Sequence, residues 1–425
     1  MKTAKFKDSP LGPIPQDWEV KRLGDVWVRF STGPFGSALH ASDYVEDGTP
    51  VVNPMHILDG KIVPSKDMRI NDETLNRLSS YRLRKNDIIL GRRGEMGRAA
   101  LVTAKEDGWL CGTGSFSITL DSSVSPDYIA LYIRTPNCIA AMENGAIGTT
   151  IPNLNQVIVS NIPIALPPLP EQQRIAEALG EVDKLIEILD EQIEKKRLIA
   201  KGVAHDLLSG AKRLPGFKGE WKSVRLGELS EIVTGGTPST EVPAFWGGDI
   251  RWMNSGDVHL KRIHDVDGRI TQLGYASSNA RLIPIGSVVI ALAGQGKTRG
   301  TAAITECELC TNQSIGAILP SEKHDSECLY YVLAMQYEKL RAASSGDGTR
   351  GGLSKKILEE YIVKLPVDIA EQQAIADLLG EQDAAIAALE AKREKYVRIK
   401  DGMMRDLLTG KVRMKGELAK REACA

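Results

Sequence analysis

Two stretches of the chain carry apolar side chains at seven-residue intervals. In residues 171–210 one row is Ile175, Val182, Leu189 and Val203, interrupted at Lys196; a second row is Leu179, Ile186 and Ile193. In residues 371–410 the rows are held by Ile375, Leu389, Tyr396 and Met403, with Leu379 and Ile386 beside them. Apolar rows at this spacing predict long helices that bury one seam, as in a coiled coil. At about 1.5 Å per residue each helix would be roughly 60 Å long. The two stretches are also copies of each other without a gap. Gly180 matches Gly380, Asp183 matches Asp383, and Asp206-Leu207-Leu208 matches Asp406-Leu407-Leu408. Both open on Glu-Gln-Gln, and Gly210 and Gly410 suit the left-handed residue that follows a helix end. Asp368-x-x-Glu371 reads as a capping box at the second start.

Elsewhere the apolar runs are short and punctuated by Gly and Pro, which predicts strands and turns. These regions repeat as well. Trp18–Gly24 parallels Trp221–Gly227, and the turn Ser31–Ser37 parallels Val233–Ser239. The strand Asp87–Gly91 parallels Ser287–Ala291, each running into a glycine-bearing loop. Cys111–Leu120 and Cys310–Leu319 read as another strand in each copy. Pro126–Arg134 and Glu327–Gln336 read as short helices, and polar loops at 145–155 and 346–354 close the two regions. The expected fold is α+β: globular regions at 1–165 and 213–365, long helices at 166–212 and 366–412, and a tail at 413–425.

Charge decides how the helices pair. Residues 171–194 hold eight acidic and two basic side chains, followed by Lys195, Lys196, Arg197 and Lys201. The second helix repeats this polarity, with Lys392, Arg393, Lys395, Arg398 and Lys400 in its later half. Each helix then suits its own macrodipole, and an antiparallel pair lays acid against base. The expectation is an antiparallel pair relating two globular regions by an approximate two-fold axis. The net charge is −1 over 425 residues, and residues 1–165 balance eighteen acids with eighteen bases. Any nucleic-acid surface must therefore be local. Six scattered cysteines argue for a reducing cytoplasm rather than a disulfide framework.

Candidate chemistry falls on the loops. Arg92, Arg93 and Arg98 in the first copy, and Lys297 and Arg299 in the second, suit phosphates or guanine edges, or an ordinary solvated hairpin. Thr149, Thr150 and Asn153 in one closing loop, and Thr349, Arg350 and Lys355 in the other, suit base edges or plain turns. Asn312 and Gln313, and Ser37, Thr237 and Ser239 in the glycine turns, are further candidate DNA contacts. Ala291–Thr298 meets a relaxed phosphate-loop pattern around Lys297, but glycine and threonines follow where a helix is required. Cys307-x-x-Cys310 lacks a second pair for zinc. Trp18, Trp221, Trp246 and Trp252 stack on bases or anchor turns.

The order of parts, the helix openings PLPEQQRIAEAL and IAEQQAIADLL, and the endings DLLSG and DLLTG resemble the specificity subunit of type I restriction-modification enzymes. The resemblance covers essentially the whole chain. It implies two target-recognition domains that each read one half of an asymmetric bipartite site on double-stranded DNA. It implies that the paired helices set the spacing and dock two modification (methyltransferase) subunits, with Ile175, Val182, Ile186, Leu189, Ile193, Ile375, Leu379, Ile386, Leu389 and Tyr396 as seam and docking positions. Restriction and motor subunits join them. S-adenosylmethionine, ATP and Mg are expected on those partners, and no catalytic residue or metal ligand in this chain. An NTPase using Lys297 and a helical adaptor without DNA contact are the competing readings.

Overall fold

A computed structural model describes residues 5–35, 38–148, 152–294, 296–343 and 352–414. The chain divides into two compact units, residues 1–189 with 392–425, and residues 190–391. The long helices are Leu169–Leu208 and Ile369–Leu407, each unbroken and each contributing to both units.

The first unit centres on an antiparallel sheet in the order Ala99–Leu101, Ile88–Gly91, Ser115–Leu120, Trp27–Thr32. The second unit has the same centre: Ile232–Thr234, Ile315–Ile318, Val288–Ala291, Ala302–Thr305, extended by Arg262–Ile263. Registers agree at a constant offset. Ile88 faces Ile118 and Gly91 faces Ser115 in one; Val288 faces Ile318 and Ala291 faces Ile315 in the other. These strands are buried on both faces, so they read as continuous apolar runs rather than alternating ones. The expected strand at 111–120 is in fact two, Leu110–Cys111 and Ser115–Leu120, in different sheets. Gly112 and Gly114 permit the break, because a Cβ on either would collide with Asn53 or Pro54. The second copy breaks alike, into Leu309–Thr311 and Ile315–Ile318. A two-stranded ladder closes each globular region and feeds the helix: Glu19–Arg22 with Pro163–Leu166, and Trp221–Arg225 with Ile362–Pro366.

The Glu-Gln-Gln repeat has a structural cause. Gln172 accepts from Ser125 N and donates to Pro167 O, both at 2.8 Å; Gln372 does the same with Asp325 N and Pro366 O. Glu171 is buried and takes a bidentate pair from Arg413 at 2.8 and 2.7 Å. Glu371, equally buried, takes one from Arg213 at 2.5 and 2.6 Å. It therefore does not turn back to close the capping box expected with Asp368, although Asp368 does accept from Ala370 N at 2.9 Å. Each arginine lies three residues beyond the glycine that ends the opposing helix, and both glycines are left-handed, φ 75° at Gly210 and 73° at Gly410. The guanidiniums also cover Trp18 and Trp221, at 5.6 and 5.7 Å from the rings.

The helices run antiparallel within each unit. Lys400 pairs with Asp183 at 2.5 Å in the first, and Arg197 with Glu390 at 2.6 Å in the second. Ile175 and Leu179 share a core with Leu407 and Leu408, as Ile375 and Leu379 do with Leu207 and Leu208. Leu189 and Ile193 are buried too, whereas Val182, Ile186, Ile386, Leu389 and Tyr396 are half-buried.

Removing Arg413 leaves the Glu171 carboxylate buried without its cation. Arg413→Ala is expected to destabilise the first unit by roughly 3–5 kcal/mol, and Glu171→Leu with Arg413→Met to recover most of it. Hydrogen exchange checks this, with protection lost in 163–166 and retained in 362–366. In the second unit His324 is 4% exposed, and burial lowers its pKa to about 4. The unfolded chain then takes up the proton first. Stability of this unit falls as pH drops from about 6.5 towards 4, by ~3 kcal/mol in the limit. Urea melts across that range check it, and His324→Gln flattens the dependence.

Candidate nucleic-acid interface

Three backbone hydrogen bonds gather the loops of the first unit. Arg92 N donates to Gly114 O, Leu154 N donates to Arg92 O, and Gly112 N donates to Val52 O, each at 2.9 Å. The second unit repeats all three: Leu292 N to Ser314 O at 2.8 Å, Leu353 N to Leu292 O at 2.9 Å, and Asn312 N to Met253 O at 3.0 Å. The glycine turn is pressed onto the same place. A Cβ on Gly33 would lie 1.8 Å from Gly112 O, and one on Gly235 1.8 Å from Thr311 O. Glycine turn, post-strand loop, mid-sheet turn and closing loop thus meet at one edge of each unit.

The side chains on this shared frame differ. Arg92 is 8% exposed, with Nε on Asn153 Oδ1 at 3.3 Å and its guanidinium 5.6 Å from Phe35 and 5.8 Å from Phe116. Burial, with the neighbouring charge of Arg93, lowers its pKa. Arg92 is therefore the post around which the loops fold. Arg93 is bridged to Asn153 by backbone, and its side chain is exposed without an ion pair among the described residues. Arg98 binds Glu95 Oε2 through two nitrogens, at 2.9 and 2.6 Å, and Pro54 O at 3.2 Å. Its charge is already half used.

In the second unit Leu292 and Ala293 stand where Arg92 and Arg93 do, and the loop to the next strand is longer. That loop exposes Lys297, whose carbonyl accepts from Thr301 Oγ1 at 2.8 Å and Tyr337 OH at 3.2 Å. Arg299 is half-buried. The loop ends in turns and the strand Ala302–Thr305, so no helix N-terminus faces Lys297 as a phosphate loop requires. Thr237 Oγ1 donates to Gln313 Oε1 at 2.6 Å, and both residues are exposed. Asn312 accepts from Ser314 N at 3.0 Å and so shapes the turn. Ser239 is exposed, and its carbonyl holds Trp246 Nε1 at 3.0 Å while Gly236 O holds Trp252 Nε1 at 3.0 Å. The two rings meet edge to face, 5.0 Å apart. These tryptophans anchor the turn, and Trp18 is fully buried. Lys355 opens a helix capped by Ser354 and pairs with Glu359 at 3.5 Å. Ser37, Thr149, Thr150, Thr349 and Arg350 lie outside the described residues.

Cys307 and Cys310 are buried, burial raises both thiols, Cys310 to about 11, and no group of metal-ligating side chains occurs among the described residues. No described helix is long and apolar enough to cross a membrane. Reasoning from sequence missed Arg213 and Arg413, although both copies carry Gly-x-x-Arg after the helix.

Comparison with known proteins points the same way. The chain is 26% identical to the type I restriction enzyme MjaVIII specificity subunit of Methanocaldococcus jannaschii, over 97% of each chain. It is 28% identical to the EcoR124I/EcoR124II specificity subunit of Escherichia coli over 39% of this chain and 41% of that one. The crystal structure of a type I restriction-modification S subunit from M. genitalium has the same fold, with a TM-score of 0.61 at 17% identity, covering 92% of this chain and 96% of that one. The type I restriction modification DNA specificity domain matches at residues 15–196 and again at 218–397. With two copies of that domain spanning most of its length, the chain belongs to the type I restriction-modification specificity family.

Proposed function

We propose that this chain is the non-catalytic DNA-reading subunit of a type I restriction-modification complex, each unit reading one half of a bipartite, asymmetric site. The observation that carries the reading is the loop edge. Two units hold the same loops by the same backbone bonds, yet over the buried Arg92 of one and the buried Leu292 of the other they expose Arg93 in the first and Ala293 and Lys297 in the second. A conserved frame with unlike side chains yields two different base preferences from one architecture. With a net charge of −1, phosphate attraction must come from local cations, and Arg93 and Lys297 supply them at these loops. The half-buried seam positions Val182, Ile186, Ile386, Leu389 and Tyr396 leave apolar surface on the long helices for modification subunits. Methyl transfer with S-adenosylmethionine, and ATP- and Mg-dependent cleavage, are assigned to those partners and to motor subunits.

Selection of random duplexes by the chain assembled with its modification subunits tests the reading, and an asymmetric pair of short half-sites is expected. Arg93→Ala and Lys297→Ala are each expected to weaken binding, to reduce the salt slope by about 1, and to alter base preference only in the half-site read by their own unit. Equilibrium titrations from low to high salt check both. Saturable ATP binding by the purified chain, lost in Lys297→Ala, would instead restore the NTPase reading. Deleting one turn, about four residues, from both long helices is expected to change the unread spacer and leave both half-sites intact. Site selection with the shortened chain checks it.

A further inference from the structure

The turn between the two short strands of each unit is the same piece of backbone with different contents: Gly112-Thr113-Gly114 in the first, Asn312-Gln313-Ser314 in the second. Position 313 is held from both sides. Asn312 N is bonded to Met253 O, Asn312 Oδ1 accepts from Ser314 N, Ser314 O accepts from Leu292 N, and Ile315 N returns to Asn312 O at 3.3 Å. The Gln313 side chain nevertheless projects to solvent. Its amide is oriented by Thr237 Oγ1, from the glycine turn, which donates to Oε1 at 2.6 Å. The glycine turn is itself fixed by Gly236 N on Thr311 O at 2.9 Å and by the Trp252 indole on Gly236 O at 3.0 Å.

An exposed amide held by its backbone and oriented by a neighbouring hydroxyl loses less rotamer freedom on binding than an ordinary surface glutamine. The amide oxygen has two lone pairs, so Thr237 leaves one acceptor site and both N–H donors available. Donor and acceptor side by side match the N7 and N6 amino group of adenine in the major groove. We propose that Gln313 reads one adenine of the second half-site, with Thr237 as its positioning residue, and that Thr113 stands at the matching place in the first half-site. The proposal rests on the DNA-reading role above. Two units with one frame then differ at this position through a single side chain, an amide against a hydroxyl.

The test is a base-preference map of the full chain assembled with its modification subunits, on duplexes randomised in both half-sites. Wild type shows an A·T preference at one position of the second half-site. Gln313→Ala abolishes it, a loss of about 5- to 150-fold in discrimination there, with the first half-site unchanged. Gln313→Glu moves the preference towards cytosine, whose amino group a carboxylate accepts. Thr237→Val weakens the adenine preference in wild type and has no effect in the Gln313→Ala background, which separates positioning from contact. An unchanged map in Gln313→Ala, or an even loss across all bases, overturns the proposal while leaving the DNA-reading role standing. Wild type that selects no sequence overturns both.

Discussion

In each unit a glutamate at the start of one long helix is buried, and the arginine that satisfies it arrives just past the end of the other. Glu171 with Arg413, and Glu371 with Arg213, cannot form unless the two helices run antiparallel and end where they do. A carboxylate buried without its partner is costly, so the clasp selects a register as well as a direction. The guanidinium then covers the tryptophan that starts the globular region, Trp18 or Trp221. The neighbouring Gln172 or Gln372 ties the helix start to the loop before a short helix. Helix, clasp and globular core are thereby one structure, which accounts for the repetition of Glu-Gln-Gln at each helix start and of Gly-x-x-Arg after each helix end.

The central sheets extend that constraint to the loops. Their registers coincide at an offset of two hundred residues, Ile88 on Ile118 and Val288 on Ile318. The three backbone bonds at the sheet edge coincide as well. Whereas Arg92 pins the loops and Leu154, Leu292 and Leu353 pack into the cores, the exposed Arg93, Ala293 and Lys297 at this edge carry no duty to the core. Such positions are free to differ between units, and they do. Specificity that varies on a fixed frame requires this division of labour.

The fold was legible in the sequence wherever one periodicity ran long enough. Seven-residue rows gave both helices, and the acid-then-base order of charge gave their antiparallel pairing. Paired Gly-rich segments gave the equivalence of the globular regions. What escaped was tertiary. A buried Glu–Arg clasp has no periodicity, so Arg213 and Arg413 passed as ordinary charges despite recurring at the same offset. Short helices such as Asp72–Arg77, Pro136–Gly145 and Gln156–Ser160 carry too few turns for a stripe to show. The glycines in Gly112-Thr113-Gly114 marked a break that an apolar run disguised as one strand. At the candidate interface, residue type placed Arg92 and Arg93 together, but only burial separates the post from the exposed cation. Likewise nothing in sequence spacing joins Thr237 to Gln313.

The most direct measurement is a genome-wide map of adenine methylation in cells that express this chain with its modification subunits, compared with cells that lack it. Two different short sequences at one fixed separation, methylated only when the chain is present, is the result predicted by two unlike loop edges on one repeated frame. A single uninterrupted site, a symmetric pair of half-sites, or a methylation pattern indifferent to the chain would contradict it.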